Sequence, residues 1–530
     1  MREKRSGKKS FYVISNRLPV SISKKKNQLK IQESPGGLAT GLRALERTQK
    51  PRFVGWPGHR PVNDKEKEYI KRTLEEKHRS HPVFLTSSDV DKYYYGFSNK
   101  TLWPLFHYFP TYCTFEESEW RAYRRVNSKF FEKVAELSKP RDSFWIHDYH
   151  LMLLPAMIRE VFPQSTIGFF LHIPFPSSEV FRVFPWRREI LKGLLGADLI
   201  GFHTFEYARH FLSSVLRLLG YEHEFGTIQI EDRIIRVENF PMGIDFKNQE
   251  ALLENSSVQE EIKSLSRKTE SGKKKIILSV DRMDYSKGIP QRLEGLEYFL
   301  AHNPQWHERF VYMMLCVPSR TKVVQYSLLK EEVDSLIGRI NGRFGKPGWI
   351  PIHYMYRSLP FHKLIPLYAI ADVALVTPLR DGMNLVAKEY VATRKDEKGV
   401  LILSETAGAS AELGEALHVN VNDKKDISEA IKIALEMSLN EQKERMQLMR
   451  KRLSDYDIIS WTRSFVDDMR EVKKIQSQRI QRKLNENWQK RMISDYQKSQ
   501  NRLLLLDYDG TLIAFTTKPE QAKPDTELIR

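Results

Sequence analysis

Two carboxylates eight positions apart, Asp381 and Glu389, mark the segment Asp372–Arg394, DVALVTPLRDGMNLVAKEYVATR. An apolar run ends at Thr377-Pro378, and a turn follows with Arg380, Asp381 and Gly382. After Met383 a helical pattern opens at about Asn384, continues through Leu385 and Val386, and puts Lys388 and Glu389 on its second turn. Backbone N–H groups that a helix start leaves unused suit a phosphate-bearing ligand. If the turn folds back, one carboxylate can take sugar hydroxyls and the other ribose hydroxyls. A strand, turn and helix with a solvated acidic turn would read the same way, and this segment alone does not separate the two.

The elements that must position such groups are apolar runs alternating with helical patterns, the signature of parallel sheets in an α/β protein. Candidate strands are Phe11–Ser15, Ser143–His147, Thr166–His172 and Asp198–Phe202 in the first half. In the second half they are Lys275–Val280, Phe310–Val317, Ile350–Tyr354, Asp372–Thr377, Val400–Ser404 and Ala416–Val421. Their apolarity is continuous, as in strands covered on both faces. Helical patterns fill the gaps, as at Gln291–Ala301 and Val324–Ile340.

Six of these runs end in polar residues: Asn16-Arg17, His147-Asp148-Tyr149-His150, His172, Asp281-Arg282-Met283-Asp284 with Lys287, Ser319-Arg320, and Arg380-Asp381. Ligands of open α/β sheets sit outside the carboxyl ends of strands. Six such tips from two halves predict one shared cleft, and so an enzyme.

A chain of 530 residues exceeds one hydrophobic core and predicts two or three domains. The expected division is a basic tail over 1–10, a first α/β domain over 11–242, a second over 243–454, and a helix over 455–473 anchored by Trp461 and Phe465. A polar, basic linker over 474–500 and a new segment over 501–530 follow. The net charge of +18 raises a nucleic-acid reading, but much of the surplus lies in the N-terminal tail, Lys24–Lys26, Lys273–Lys275 and Lys473–Lys498. Solvated tails and linkers are favoured, and no nucleic-acid partner is expected. No apolar run approaches a membrane span, and the N-terminus does not read as a signal peptide. Cys113 and Cys316 stand far apart in no metal-like spacing, so reduced thiols in a cytoplasmic protein are expected.

The motifs SNRLP (15–19), GGLATG (36–41), WIHDYHL (145–151), GFFLHIPFP (168–176), DRMDYSKGIP (281–290), RINGRFG (339–345) and TPLRDGMNLVAKEY (377–390) occur in this order. Together they resemble trehalose-6-phosphate synthase over roughly residues 10–470. The resemblance implies a GT-B fold, two doubly wound Rossmann-like domains facing a cleft, with the C-terminal helix crossing back to the first. It implies transfer of glucose from UDP-glucose to glucose 6-phosphate with retention at the anomeric carbon, and no metal or other cofactor.

It also implies roles. Arg282 and Lys287 would neutralise the leaving nucleotide. Gly36 and Gly37 would let backbone approach the diphosphate. Asp381 would hold donor glucose hydroxyls, with Gly382 and Met383 beside it; the amides around Asn384, Leu385 and Val386 would meet phosphate and sugar oxygens; Glu389 would take the ribose. His172 would position the donor glucose through its side chain or its carbonyl. Arg17, Tyr94 and Arg320 would bind the acceptor's phosphate, Asp148 its hydroxyls, and Trp56 and Trp103, in contexts read as loops, would wall its ring. Each reading has a plainer rival: a surface cation pair, a turn glycine, a core histidine, a packed tryptophan.

The stretch LLLLDYDGTL (503–512) resembles the first motif of haloacid-dehalogenase-type phosphatases, with Asp507 as nucleophile and Asp509 as acid/base. About thirty residues are too few for such a core, so no phosphatase activity is expected, and the segment reads as the start of a longer bifunctional protein. Rival functions are a glucosylglycerol-phosphate synthase, using ADP-glucose and glycerol 3-phosphate, and a non-catalytic regulatory member on the same fold. A homo-oligomer is left open.

Overall fold

The structure is a computed structural model that describes residues 9–25, 28–33, 50–269, 273–320, 323–482 and 486–503, with 512, 523 and 526. Gly36, Gly37, Asp507 and Asp509 lie outside the described residues. Contacts divide the chain into a unit over 1–474 and a unit over 475–530.

In the first unit, β1 (Phe11–Arg17) leads to a hairpin of β2 (Val20–Lys25) and β3 (Gln28–Glu33), then to β4 (Arg52–Trp56) and β5 (Ser80–Pro82). β6 (Ser143–His147), β7 (Thr166–Phe170) and β8 (Leu199–Phe202) follow, then β9 (His223–Glu224), β10 (Thr227–Ile230) and β11 (Arg233–Asn239). One sheet runs β5-β4-β1-β6-β7-β8-β11-β10-β9, parallel as far as β11 and antiparallel at the β10 and β9 edge.

The second sheet holds β12 (Lys275–Arg282), β13 (Phe310–Val317), β14 (Ile352–Tyr356), β15 (Val373–Val376), β16 (Val400–Ser404) and β17 (Leu417–Val419). It is parallel throughout, in the order β14-β13-β12-β15-β16-β17. All ten strands expected from the sequence are present.

Both sheets share one winding rule. The chain moves outward one way from the first strand, then returns to its other side. That is the Rossmann order, and ligands bind where the direction reverses. The reversal points are β1/β6 in the first sheet and β12/β15 in the second. Apolar runs such as IILSV in β12 are buried along their length, as covered strands require.

Between the sheets, Phe240–Ile244 is held through alternate carbonyls. The Phe240 oxygen accepts Trp461 Nε1–H at 3.1 Å, the Met242 oxygen accepts Lys388 Nζ at 2.8 Å, and the Ile244 oxygen accepts Ile458 N–H at 3.0 Å. Trp461 and Phe465 belong to helix Ile458–Arg482 and pack on Trp145 and Phe170 of the first sheet. The crossing-back helix is therefore present, starting later and running longer than 455–473. Residues read as a linker after 474 are largely helical, to Arg482 and again over Glu486–Lys498. Among the described residues no helix is long and apolar enough to cross a membrane.

Candidate active site

One cleft of about 350 Å³ opens at the two reversal points. Asn16 and Arg17 line it from the end of β1, His147–His150 from the end of β6 and His172 from beyond β7. Arg282 and Lys287 enter from β12, Arg320 from beyond β13, and Asp381 and Gly382 from beyond β15. Tyr94 and Trp103 close one wall. Ten of the residues singled out from the sequence thus meet in one place.

Around β12 and β15, local chemistry sets the geometry. β12 stops at Arg282, and the Asp284 carboxylate caps the short turn Tyr285–Lys287 by accepting Ser286 N–H at 3.1 Å. Gly288 then turns with φ +61°, and Pro290 opens helix Ile289–His302. This aims Lys287 back across the sheet, where its Nζ pairs with Asp381 Oδ2. Burial raises the cost of a charge on Asp381, but Lys287, His107 and Arg282 hold its carboxyl below the usual range. Behind the pair, the fully buried Arg292 bonds Asp281, Thr377 and the Lys287 carbonyl, tying β12 to the end of β15. Arg282 is exposed and lies over Trp103, 5.1 Å from its ring centre.

Asn384 has φ +74° and accepts Ala387 N–H, capping helix Leu385–Thr393. Its side chain also donates to Asp381 Oδ2 at 3.1 Å. That leaves the Leu385 and Val386 amides as donors the helix does not itself use. Met383 is buried beneath this turn. Glu389 sits farther along the helix and does not line the cleft; its carboxylate accepts Tyr368 O–H at 3.0 Å, and burial pushes its carboxyl up to about 7.

The opposite wall is built on β1, β4 and β6. The Arg17 guanidinium lies 4.8 Å from the centre of the Trp56 ring and against Gly58, where a Cβ would fall 2.0 Å from it. Trp56 meets Tyr94 edge-on. Both tryptophans occupy regular elements rather than loops. Trp56 ends β4, whose Gly55 is needed because a Cβ would stand 2.7 Å from the Ser15 carbonyl. Trp103 opens helix Trp103–Phe106, with Pro104 in the first turn where its missing N–H costs nothing.

Asp148 has φ +76°, a region L residues avoid. Its Oδ1 accepts His172 N–H at 3.3 Å, and burial pushes its carboxyl up to about 6 against the opposing pull of amides and of Arg320 and Arg282. His172 is brought to about 3 by burial and is neutral; its Nε2 is 3.0 Å from His147 Nδ1. The His172 carbonyl packs so closely on Gly382 that a Cβ there would stand 2.3 Å away. Arg320 is buried with Asp284, at 3.0 Å, and lies 3.8 Å from the centre of the Trp103 ring.

No individual role is expected from the sequence for Asn16, His107, His147, Tyr149, His150 or Asp284, yet all line the cleft or bond groups that do. Five of them fall inside quoted motifs and follow apolar runs; His107 has neither signal. Among the described residues no group of three or more His, Cys, Asp or Glu side chains is arranged to hold a metal. What the cleft offers is cations and hydroxyl acceptors converging from two sheets.

The profile of glycosyltransferase family 20 matches residues 9–471. A bifunctional trehalose-6-phosphate synthase/phosphatase from Thermoproteus tenax is 46% identical over 533 residues, covering 98% of this chain and 71% of the relative. The solved UDP-forming α,α-trehalose-phosphate synthase from Burkholderia xenovorans, in complex with glucose-6-phosphate, superposes with a TM-score of 0.78 at 33% identity over 87% of this chain and 100% of that one. An Escherichia coli structure bound with UDP-2-fluoro glucose gives a TM-score of 0.77 at 33% identity, over 87% and 99%.

Proposed function

The chain belongs to glycosyltransferase family 20 and has its two-domain GT-B fold, and on that premise we propose that it transfers glucose from UDP-glucose to glucose 6-phosphate with retention, releasing UDP and α,α-trehalose 6-phosphate. One observation carries the reading. Lys287 and Arg282 stand at one reversal point beside Asp381, and Arg17, Asp148 and Arg320 face them across a single cleft.

The bond from the sugar's anomeric carbon to the diphosphate breaks, and negative charge builds on the departing oxygen. Fixed cations aimed at that oxygen lower the barrier without reorganising. Arg282 and Lys287 fill this role; the diphosphate competes with Asp381 for Lys287. The incoming hydroxyl attacks on the same face, and its proton passes to the departing phosphate. Asp381 then holds donor hydroxyls, the Leu385 and Val386 amides meet phosphate and sugar oxygens, and Glu389 takes the ribose. The neutral His172 orients the donor sugar through its side chain or its carbonyl.

On the acceptor side, Arg17, Tyr94 and Arg320 take the phosphate, since guanidinium groups match two oxygens at once. Asp148 is ionised above about pH 6 and accepts sugar hydroxyls. Trp103 walls the ring, and Trp56 acts by backing Arg17. We assign the domains as 11–242, joined by the helix that starts at Ile458, and 243–454.

A nucleotide-release assay crossing UDP-glucose and ADP-glucose with glucose 6-phosphate and glycerol 3-phosphate tests the proposal. Turnover is expected with the first of each pair. Turnover confined to ADP-glucose with glycerol 3-phosphate, or none in any combination, refutes it.

A further inference from the structure

Asp284 lies two residues past the tip of β12 and has no part in the chemistry above. We infer that Asp284 is a positioning residue: its carboxylate, bonded from both halves of the molecule, fixes the Arg320 guanidinium and the Trp103 indole where they receive the acceptor's phosphate end. The inference rests on the sugar-phosphate acceptor proposed above.

The carboxylate is fully buried and accepts five hydrogen bonds. Oδ1 takes Ser286 N–H at 3.1 Å, Ser286 Oγ–H at 2.9 Å and Trp103 Nε1–H at 3.4 Å. Oδ2 takes Arg320 Nη1–H at 3.0 Å and Tyr326 O–H at 3.2 Å. An ionised carboxylate offers about four lone-pair positions, so this one is saturated. Trp103 comes from the first half, and Arg320 and Tyr326 from the second. Burial opposes the charge, but Arg320, Arg282 and Lys287 outweigh it and hold Asp284 ionised, well below the usual carboxylate range.

The consequence falls on Arg320. One edge of its guanidinium is fixed by Asp284 and Tyr326, the other nitrogen reaches Tyr149 Oη at 3.4 Å, and one face rests on the Trp103 ring. A guanidinium held this way is preorganised for a phosphate rather than free to rotate. Asp284 also offsets the mutual repulsion of Arg282, Lys287 and Arg320.

Asp284→Asn keeps the shape and inverts one donor-acceptor relation. Whichever way the amide turns, an N–H faces a donor, either that of Arg320 or those of Ser286 and Trp103. Titration calorimetry on the intact chain would read the Kd of glucose 6-phosphate and of UDP for wild type and variant, with a thermal melt to check folding. The expected result is a glucose 6-phosphate Kd raised about tenfold, the scale of one charge-assisted hydrogen bond, with the UDP Kd within about threefold. Tyr326→Phe removes one donor to Asp284 with little loss of bulk and should shift the same ligand by several-fold. It decides the matter if Asp284→Asn does not fold.

Unchanged glucose 6-phosphate binding, or equal weakening of both ligands, overturns the inference and leaves Asp284 a purely structural group. Should wild type bind glycerol 3-phosphate and not glucose 6-phosphate, the acceptor reading fails separately. The Asp284 variants are then judged on glycerol 3-phosphate, which carries the same phosphate end, by the same two criteria.

Discussion

Replacing Arg282 by alanine separates catalysis from folding more cleanly than any other change in the cleft. The guanidinium is exposed and makes no hydrogen bond or ion pair among the described residues; it rests over the Trp103 ring, 5.1 Å from the centre. An exposed contact of that kind contributes about 0.5–1 kcal/mol, so the melting temperature should barely move. Its proposed work lies in the transition state, where it donates to the departing diphosphate. A hydrogen bond to a charged group is worth about 1.5–3 kcal/mol. At about 1.4 kcal/mol per decade, kcat should fall about 10- to 150-fold. Arg282→Lys keeps the charge without the planar fork and should fall between. Nucleotide release at saturating UDP-glucose and glucose 6-phosphate, with a thermal melt of each variant, measures both quantities. A kcat within about threefold of wild type would refute the assignment. A collapse of the melting temperature would instead show that the exposed side chain supports the fold, contrary to the geometry.

Glu389→Gln tests the pH dependence. Burial pushes the Glu389 carboxyl up to about 7, so lowering the pH through that value adds a proton and removes an acceptor for the ribose hydroxyls. Wild-type kcat/KM for UDP-glucose should therefore rise with pH through about 7, and the variant's profile should be lower and flat there. Lys388→Met tests the join between the sheets. It leaves Glu412 and the Met242 carbonyl without their buried partner and should cost about 3–5 kcal/mol in denaturant unfolding. Gly382→Ala puts a Cβ 2.3 Å from the His172 carbonyl, a backbone atom that has no rotamer to move to. The two walls must part by roughly 1 Å, and kcat should fall by about two orders of magnitude, read in the nucleotide-release assay.

What the sequence exposed and what it concealed follow from how each residue finds its partners. Strands buried on both faces carry their own signal, so β12, β13, β15 and β16 were legible as apolar runs. β5 is three residues ending in Pro82 at a sheet edge, too short for any pattern. β4 was hidden by Gly55, which reads as a turn residue but serves a close approach to β1. Tyr94 rides on the irregular helical segment Val90–Leu102, kinked at Gly96, which has no regular period to detect. Charged groups at strand tips were legible because position along a parallel strand fixes where they point. Asp284, Tyr149 and His147 were legible as strand-tip residues, but their partners were not, since these lie distant in sequence: Trp103 is 181 residues from Asp284, and Arg320 is 171 from Tyr149.

The same distances bear on how the site works. Neither reversal point is sufficient alone: β12/β15 brings Lys287 and Asp381 together, while β1/β6 brings Arg17 and Asp148. Specific contacts join them. Trp103 Nε1 reaches Asp284, Tyr207 O–H donates to the Asp381 carbonyl at 3.1 Å, and Gly382 packs on the His172 carbonyl. Each one links a proposed substrate group to the opposite half of the molecule. The Lys388 bond to Met242 extends this to the connecting segment, because Lys388 precedes Glu389 on the same helix. A shift of that helix by the donor's ribose would therefore strain the join at Phe240–Ile244 and be felt at the acceptor wall. Strands set the chemistry of each wall, while cross-cleft contacts set the distance between them, and a transferase needs both because its two substrates react only when that distance is right.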